Sequence, residues 1–107
     1  MAKYMYRTKY TQAGLQGLLR EGGTGRRAAL SQTIEGMGGS LEGFYYAMGD
    51  DDLILIAEIP DEATATAIAL NVAAAGALEV STTVLISPET IDDAVGKSVT
   101  YRLPGAE

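Results

Sequence analysis

The stretch from Gly38 to Asp61, GGSLEGFYYAMGDDDLILIAEIPD, constrains the fold more than any other part of the chain. It contains two apolar runs of strand length, Leu41–Met48 and Leu53–Ile59, separated only by Gly49-Asp50-Asp51-Asp52. A connection this short joins neighbouring strands antiparallel, as a hairpin. The second run is apolar on both faces, with Leu53, Leu55 and Ala57 on one side and Ile54 and Ile56 on the other. A strand of that kind belongs in the middle of a sheet. Pro60 has no N–H for a ladder and ends it, and Asp61 is a good N-cap for the helix that follows.

The flanking segments complete the pattern. Lys3 to Tyr10 alternates and is rich in tyrosine, which suits a strand. Thr11 caps a helical stretch to Arg20 with Leu15, Leu18 and Leu19 directed inward. Three glycines in Gly22-Gly23-Thr24-Gly25 are expected to interrupt it, and a second stretch resumes at Arg26 with Leu30, Ile34 and Met37 on one buried face. A helix from Asp61 to about Ala75 ends at Gly76. A strand from Leu78 to Ile86 follows, with Leu78, Val80, Val84 and Ile86 on one side. Ser87-Pro88-Glu89 then opens a last helix to about Ser98. The order βαββαβ plus a terminal helix predicts an α+β, ferredoxin-like fold. Its four-stranded antiparallel sheet carries helices on one face, with the first and third strands central.

The 24-residue stretch, together with Tyr10-Thr11 and Glu21-Gly22-Gly23-Thr24-Gly25-Arg26-Arg27-Ala28-Ala29, resembles the small bacterial GYD-domain proteins from about Lys3 to Gly105. The family's naming motif reads Gly-Asp-Tyr-Asp. Here Gly49, Asp50 and Asp52 match it, and Asp51 stands in place of the tyrosine. The resemblance implies a relation to dimeric α/β barrels, in which two sheets pack face to face, and hence a homo-oligomer built from dimers. It implies no activity, because the family carries none that is established.

At 107 residues the chain is expected to form a single domain over residues 1–107, at a size where self-association helps to bury surface. It has no cysteine and no histidine. That removes thiolate chemistry, disulfides, the commonest metal ligand and the usual general base near pH 7. The net charge of −6 argues against nucleic acid and anionic membranes as partners. The start Met1-Ala2-Lys3-Tyr4 lacks the apolar core of a signal peptide, so a cytoplasmic protein is expected. The charge is uneven: residues 1–43 carry a net +3 and residues 44–107 a net −9. An anion would therefore favour the N-terminal half.

Within that half, Gly22, Gly23, Thr24, Gly25, Arg26 and Arg27 form the candidate ligand-binding segment. Glycines before a helix start expose backbone N–H groups at its positive end, and two arginines add forked donors. Tyr10 and Tyr101 are candidates for its rim. The competing reading is a kinked helix whose arginines pair with surface carboxylates. Tyr4 and Tyr6 share a strand face that either flanks a partly polar cavity or packs as core. On the opposite face Lys3, Met5, Arg7 and Lys9 would meet Glu58 and Glu79, if the register places them together. Asn71 interrupts an apolar helix and would bond a ligand or a strand backbone group. Asp50, Asp51 and Asp52 form a solvated turn and are not expected to hold a metal, because three consecutive carboxylates do not converge on one ion; no cofactor is expected. Two functions compete. One is a non-catalytic oligomer binding a small anion; the other is a small cofactor-independent enzyme of the dimeric α/β-barrel type, monooxygenase-like or isomerase-like. A purely structural assembly unit remains a third.

Overall fold

The computed structural model describes residues 1–106. The elements run β1 (Ala2–Tyr10), α1 (Gln12–Glu21), α2 (Gly23–Gly36), β2 (Ser40–Tyr46), β3 (Leu53–Ile59), α3 (Glu62–Ala74), β4 (Leu78–Leu85) and α4 (Pro88–Val95). The four strands form one antiparallel sheet in the order β2-β3-β1-β4. The strands joined by helices, β1 with β2 and β3 with β4, are each separated by one other strand. This is the ferredoxin-like α+β arrangement that the element order predicts.

β1 organises the core because it pairs on both sides. Tyr4, Tyr6, Thr8 and Tyr10 are all buried on its helix-facing side. They lie opposite Ala57, Leu55 and Leu53 of β3, and Tyr10 lies opposite Leu78 of β4. Leu30 and Ile34 of α2 and Ala65 and Ile68 of α3 close the cluster from above. Two buried hydroxyls are satisfied by backbone: Tyr6 donates to the Ala65 carbonyl at 2.8 Å and Thr8 to the Leu53 carbonyl at 2.9 Å. The tyrosines on this face are thus core and do not flank a cavity. Asn71 likewise spends its amide on its own helix, donating to the Ala67 carbonyl at 2.7 Å.

Some expectations for the helices need correction. The glycine segment is not a loop. Gly22 alone, at φ 81°, breaks the chain between α1 and α2, and Gly23, Thr24 and Gly25 already form the first turn of α2. A single left-handed residue suffices to redirect the axis, and the glycines after it adopt ordinary helical angles. Leu15 and Leu19 point outward, Leu19 being 85% exposed, because α1 meets the sheet through the buried Gly14; of the three leucines only Leu18 packs against the core. Met37 falls at the exposed C-cap of α2. Val84 and Ile86 are exposed as well, since no helix covers the far end of edge strand β4.

The other sheet face carries no helix. The register sets Lys3 opposite Glu58 and Lys9 opposite Glu79, so these charges do share it. The closest ion pairs run to other partners, however: Lys3 to Glu42 at 2.8 Å, Arg7 to Asp51 at 3.9 Å and Lys9 to Asp52 at 4.0 Å. A bulge between Leu41 and Gly43 interrupts the β2 register at Glu42, whose carboxylate reaches Lys3 beyond β3. Between the charges lie Met5, Ile54 and Ile56, half-buried without any partner element above them.

Close packing at Gly14 yields a direct test. A Cβ there would collide with the Ala77 carbonyl oxygen and come within 2.9 Å of the Tyr10 ring, whereas one at Gly17 meets nothing. Gly14→Ala should cost about 1–3 kcal/mol through overpacking. Gly17→Ala should stabilise by ~0.5–1 kcal/mol through helix propensity. Urea midpoints of the two variants should move in opposite directions.

Burial pushes the Tyr6 phenol up from its ordinary 10.0 to about 12. A pKa raised on folding adds stability that is complete below pH 10 and is lost as pH climbs towards 12. Unfolding free energy should therefore fall between those values. Tyr6→Phe should lower stability by about 1 kcal/mol at neutral pH and flatten the alkaline decline, as read by denaturation at pH 7, 10 and 11.

Candidate functional site

The segment Gly22 to Arg27 spans the start of α2. Gly22, its N-cap, makes no side-chain cap hydrogen bond, and the first backbone bond into the helix runs from Arg26 N–H to the Gly22 carbonyl at 3.3 Å. The N–H groups just ahead of it, in the first turn, have no partner within the helix, which is the usual condition of a helix start. An anion approaching this end meets open donors and the positive end of the helix dipole.

The arginines do not act together. Successive helical residues point about 100° apart, and the two side chains fall on opposite flanks of α2. Arg27 shares its flank with Thr24, Ala28 and Ser31; counted from Thr24, Arg27, Ala28 and Ser31 follow at three, four and seven residues. These line an open cavity of about 480 Å³ between α2 and β2, whose other wall is Leu41, Glu42, Gly43, Phe44 and Tyr45. Arg26 lies on the other flank with Leu30, Thr33 and Met37. They line an apolar groove of about 390 Å³ whose far wall is Ala67, Ile68, Asn71 and Val72 of α3 with its C-cap Ala75.

The electrostatics separate the two arginines further. Arg26 is 3.5 Å from the Glu21 carboxylate, so part of its charge is answered locally. Arg27 has no acidic partner within 4 Å among the described residues. The one carboxylate in its cavity, Glu42, is held by Lys3, and that contact raises the Lys3 pKa. The α2–β2 cavity therefore offers one unpaired guanidinium with two hydroxyls, Thr24 and Ser31, on the same helix stripe. Ser31 also lies 3.4 Å from Glu35 through its hydroxyl.

The rim tyrosines fall elsewhere. Tyr10 is buried beneath the α1–α2 kink, and its hydroxyl has no hydrogen-bond partner among the described residues. Tyr46 lies beside it and donates to the Gly23 carbonyl at 3.4 Å. Burial pushes Tyr46 up to about 12. Tyr101 is exposed in the chain after α4 and lines neither cavity. Ser31, Phe44 and Tyr45 line the cavity without standing among the candidates from the sequence. Ser31 was accessible from periodicity, since it sits seven residues beyond Thr24, whereas the β2 residues join only through tertiary packing.

The acidic turn has a structural task. The Asp52 carboxylate accepts from the Tyr10 N–H at 3.0 Å, at the end of β1, while Asp52 N–H donates to the Thr8 carbonyl at 2.8 Å. Asp52 thereby fastens the β2–β3 hairpin to β1. Asp51, at the position of the family's tyrosine, faces Arg7, and its carbonyl accepts from Gly49 N–H. Among the described residues no three acidic side chains gather as a metal site would require. Asp52→Ala should destabilise by about 1–3 kcal/mol, because it strands a backbone donor. Asp51→Asn, which breaks a long and partly exposed pair, should cost under ~1 kcal/mol. Thermal denaturation of both variants checks the ranking.

No helix among the described residues is long and apolar enough to cross a membrane. No curated protein and no solved structure shows a significant match to the chain. A family model described as "GYD domain" matches residues 4–95, from the core tyrosine of β1 to the last residue of α4. With the motif turn clamped to β1 and the match running through every strand and helix, the chain belongs to the GYD-domain family.

Proposed function

We propose that this protein is a homo-oligomer that binds a small anionic ligand, without transforming it, in the cavity between α2 and β2. The observation that carries the reading is Arg27, an unpaired guanidinium beside the Thr24 and Ser31 hydroxyls at the N-terminal half of α2. A phosphate or carboxylate would receive a forked donor from Arg27 and the favourable field of the helix start. Arg26, already engaged by Glu21 and turned to the other flank, is secondary. Tyr10 and Tyr101 have no place in this pocket.

Self-association is supported by the uncovered sheet face. Met5, Ile54 and Ile56 form an apolar strip ringed by charges of both signs, which suits a second sheet laid across it. Gly43 belongs to both the cavity wall and this face, so a partner there would border the ligand. The catalytic alternative finds less support. Tyr6 and Tyr46 are both driven towards 12, away from the range in which a general base works near neutrality.

Inorganic phosphate, nucleotides and simple carboxylates, screened by thermal shift, test the site. A ligand that stabilises the wild type should bind Arg27→Ala at least about tenfold more weakly, since a charge-assisted hydrogen bond contributes ~1.5–3 kcal/mol. Arg26→Ala should bind within about threefold of wild type, a difference below 1 kcal/mol. Equal stabilisation of wild type and Arg27→Ala would place the ligand elsewhere. A monomeric mass by light scattering at micromolar concentration would refute the oligomer.

A further inference from the structure

The C-terminal segment packs little against the body of its own chain: only the first turn of α4, Pro88 and Thr90, borders a cleft with Lys3 of β1 and Glu58 of β3. No residue of α4 is buried, and the molecule measures 60 × 32 × 22 Å. Its radius of gyration is 17.4 Å, against roughly 13 Å for a compact chain of this length. The segment is nonetheless patterned for burial. Ile91, Ala94 and Val95 form an i, i+3, i+4 stripe on α4, with Val95 79% exposed, and Val99 in the chain beyond the helix is 82% exposed. An amphipathic helix with its apolar stripe in water lacks a partner.

We propose that α4 seats this stripe in the groove between α2 and α3 of a second copy of the chain. The groove is the complementary feature. α2 packs on α1 and β2, and α3 on β3 and β4, leaving between them a trough walled by Leu30, Met37, Ile68, Val72 and Ala75. Its far wall, from Ala67 to the α3 C-cap Ala75, covers eight residue steps, about 12 Å, and α4 has eight residues. Charge agrees as well. Asp92 flanks the α4 stripe, while Glu89 and Asp93 lie on the opposite, solvent side, and the charged group on the groove is Arg26, which Glu21 answers only in part at 3.5 Å. Helix-in-groove docking uses this combination of spaced apolar anchors and a polar rim.

The occupant must come from another copy. α4 follows β4 through Ile86 and Ser87 alone, a link that spans at most ~7 Å. Within one chain α3 lies over β4 and β3 and stands between that link and the groove, and a helix with its side chains is about 10 Å wide. The arm cannot step over its own α3 without peeling β4 from the sheet. The inference rests on the oligomer proposed above, but it concerns a different surface from the uncovered sheet face.

The chain has no cysteine, so two introduced ones report specifically. Val95→Cys on the arm and Asn71→Cys on the groove are made as separate variants, co-expressed and oxidised. A disulfide-linked pair containing one of each is expected, while Val95→Cys with Glu35→Cys, outside the groove residues, should give little. The second arm is Ile91→Asp/Val95→Asp in the full chain. Both sites are exposed, so the fold should survive, and the oligomer should dissociate at a concentration roughly tenfold higher or more. If wild type is a monomer, the oligomer and the arm contact both fail. If wild type is oligomeric, yet the mixed disulfide is absent and the double variant keeps its mass and dissociation midpoint, the arm contact is overturned and the oligomer stands.

Discussion

The pairing of β1 with both β3 and β4 is the constraint on which the remainder of this structure depends. It places Tyr4, Tyr6, Thr8 and Tyr10 in one row under the helices, where three tyrosine rings supply much of the core of a small domain. Such a row has polar ends to satisfy. Tyr6 and Thr8 do so through carbonyls of α3 and β3, which ties the central strand to two other elements by bonds as well as by packing. Asp52 extends the tie to the hairpin turn through the Tyr10 N–H. The motif residue thus serves the same strand as the core does.

Because that core lies wholly between sheet and helices, the rest of the molecular surface is left with unfinished business. The opposite sheet face, the α2–α3 groove and the stripe of α4 are apolar and uncovered in one chain. A 107-residue protein has little interior to spare, and association is the general remedy for surface that cannot be buried internally. Two distinct surfaces pointing in different directions would allow an assembly larger than a face-to-face pair.

The α1–α2 kink decides the chemistry available at the candidate site. With Gly22 as the single left-handed residue, α2 begins early enough that Arg26 and Arg27 sit on a regular helix and diverge. One arginine then goes to a polar cavity with hydroxyls and the other to an apolar groove beside Glu21. A loop reaching Arg26, as glycine content alone suggests, would have permitted convergence on one ligand. The difference between two cooperating arginines and two separate ones is therefore a matter of where the helix starts.

Local pattern determined the strands and their order, since period-two alternation, a two-faced apolar run, a proline stop and side-chain caps at Thr11, Asp61 and Ser87 act over a few residues. Family membership was legible for the same reason, being written in contiguous motifs. Tertiary structure decided what depends on distant partners. It set which leucines of α1 turn inward, because close approach at Gly14 governs how that helix meets Ala77. It assigned Asp52 to β1, and it formed the Arg27 cavity from a helix stripe and a bulged strand. It also left every residue of α4 unburied, which no count of residues along the chain reveals, because burial is a property of the space around a side chain and not of its neighbours in sequence.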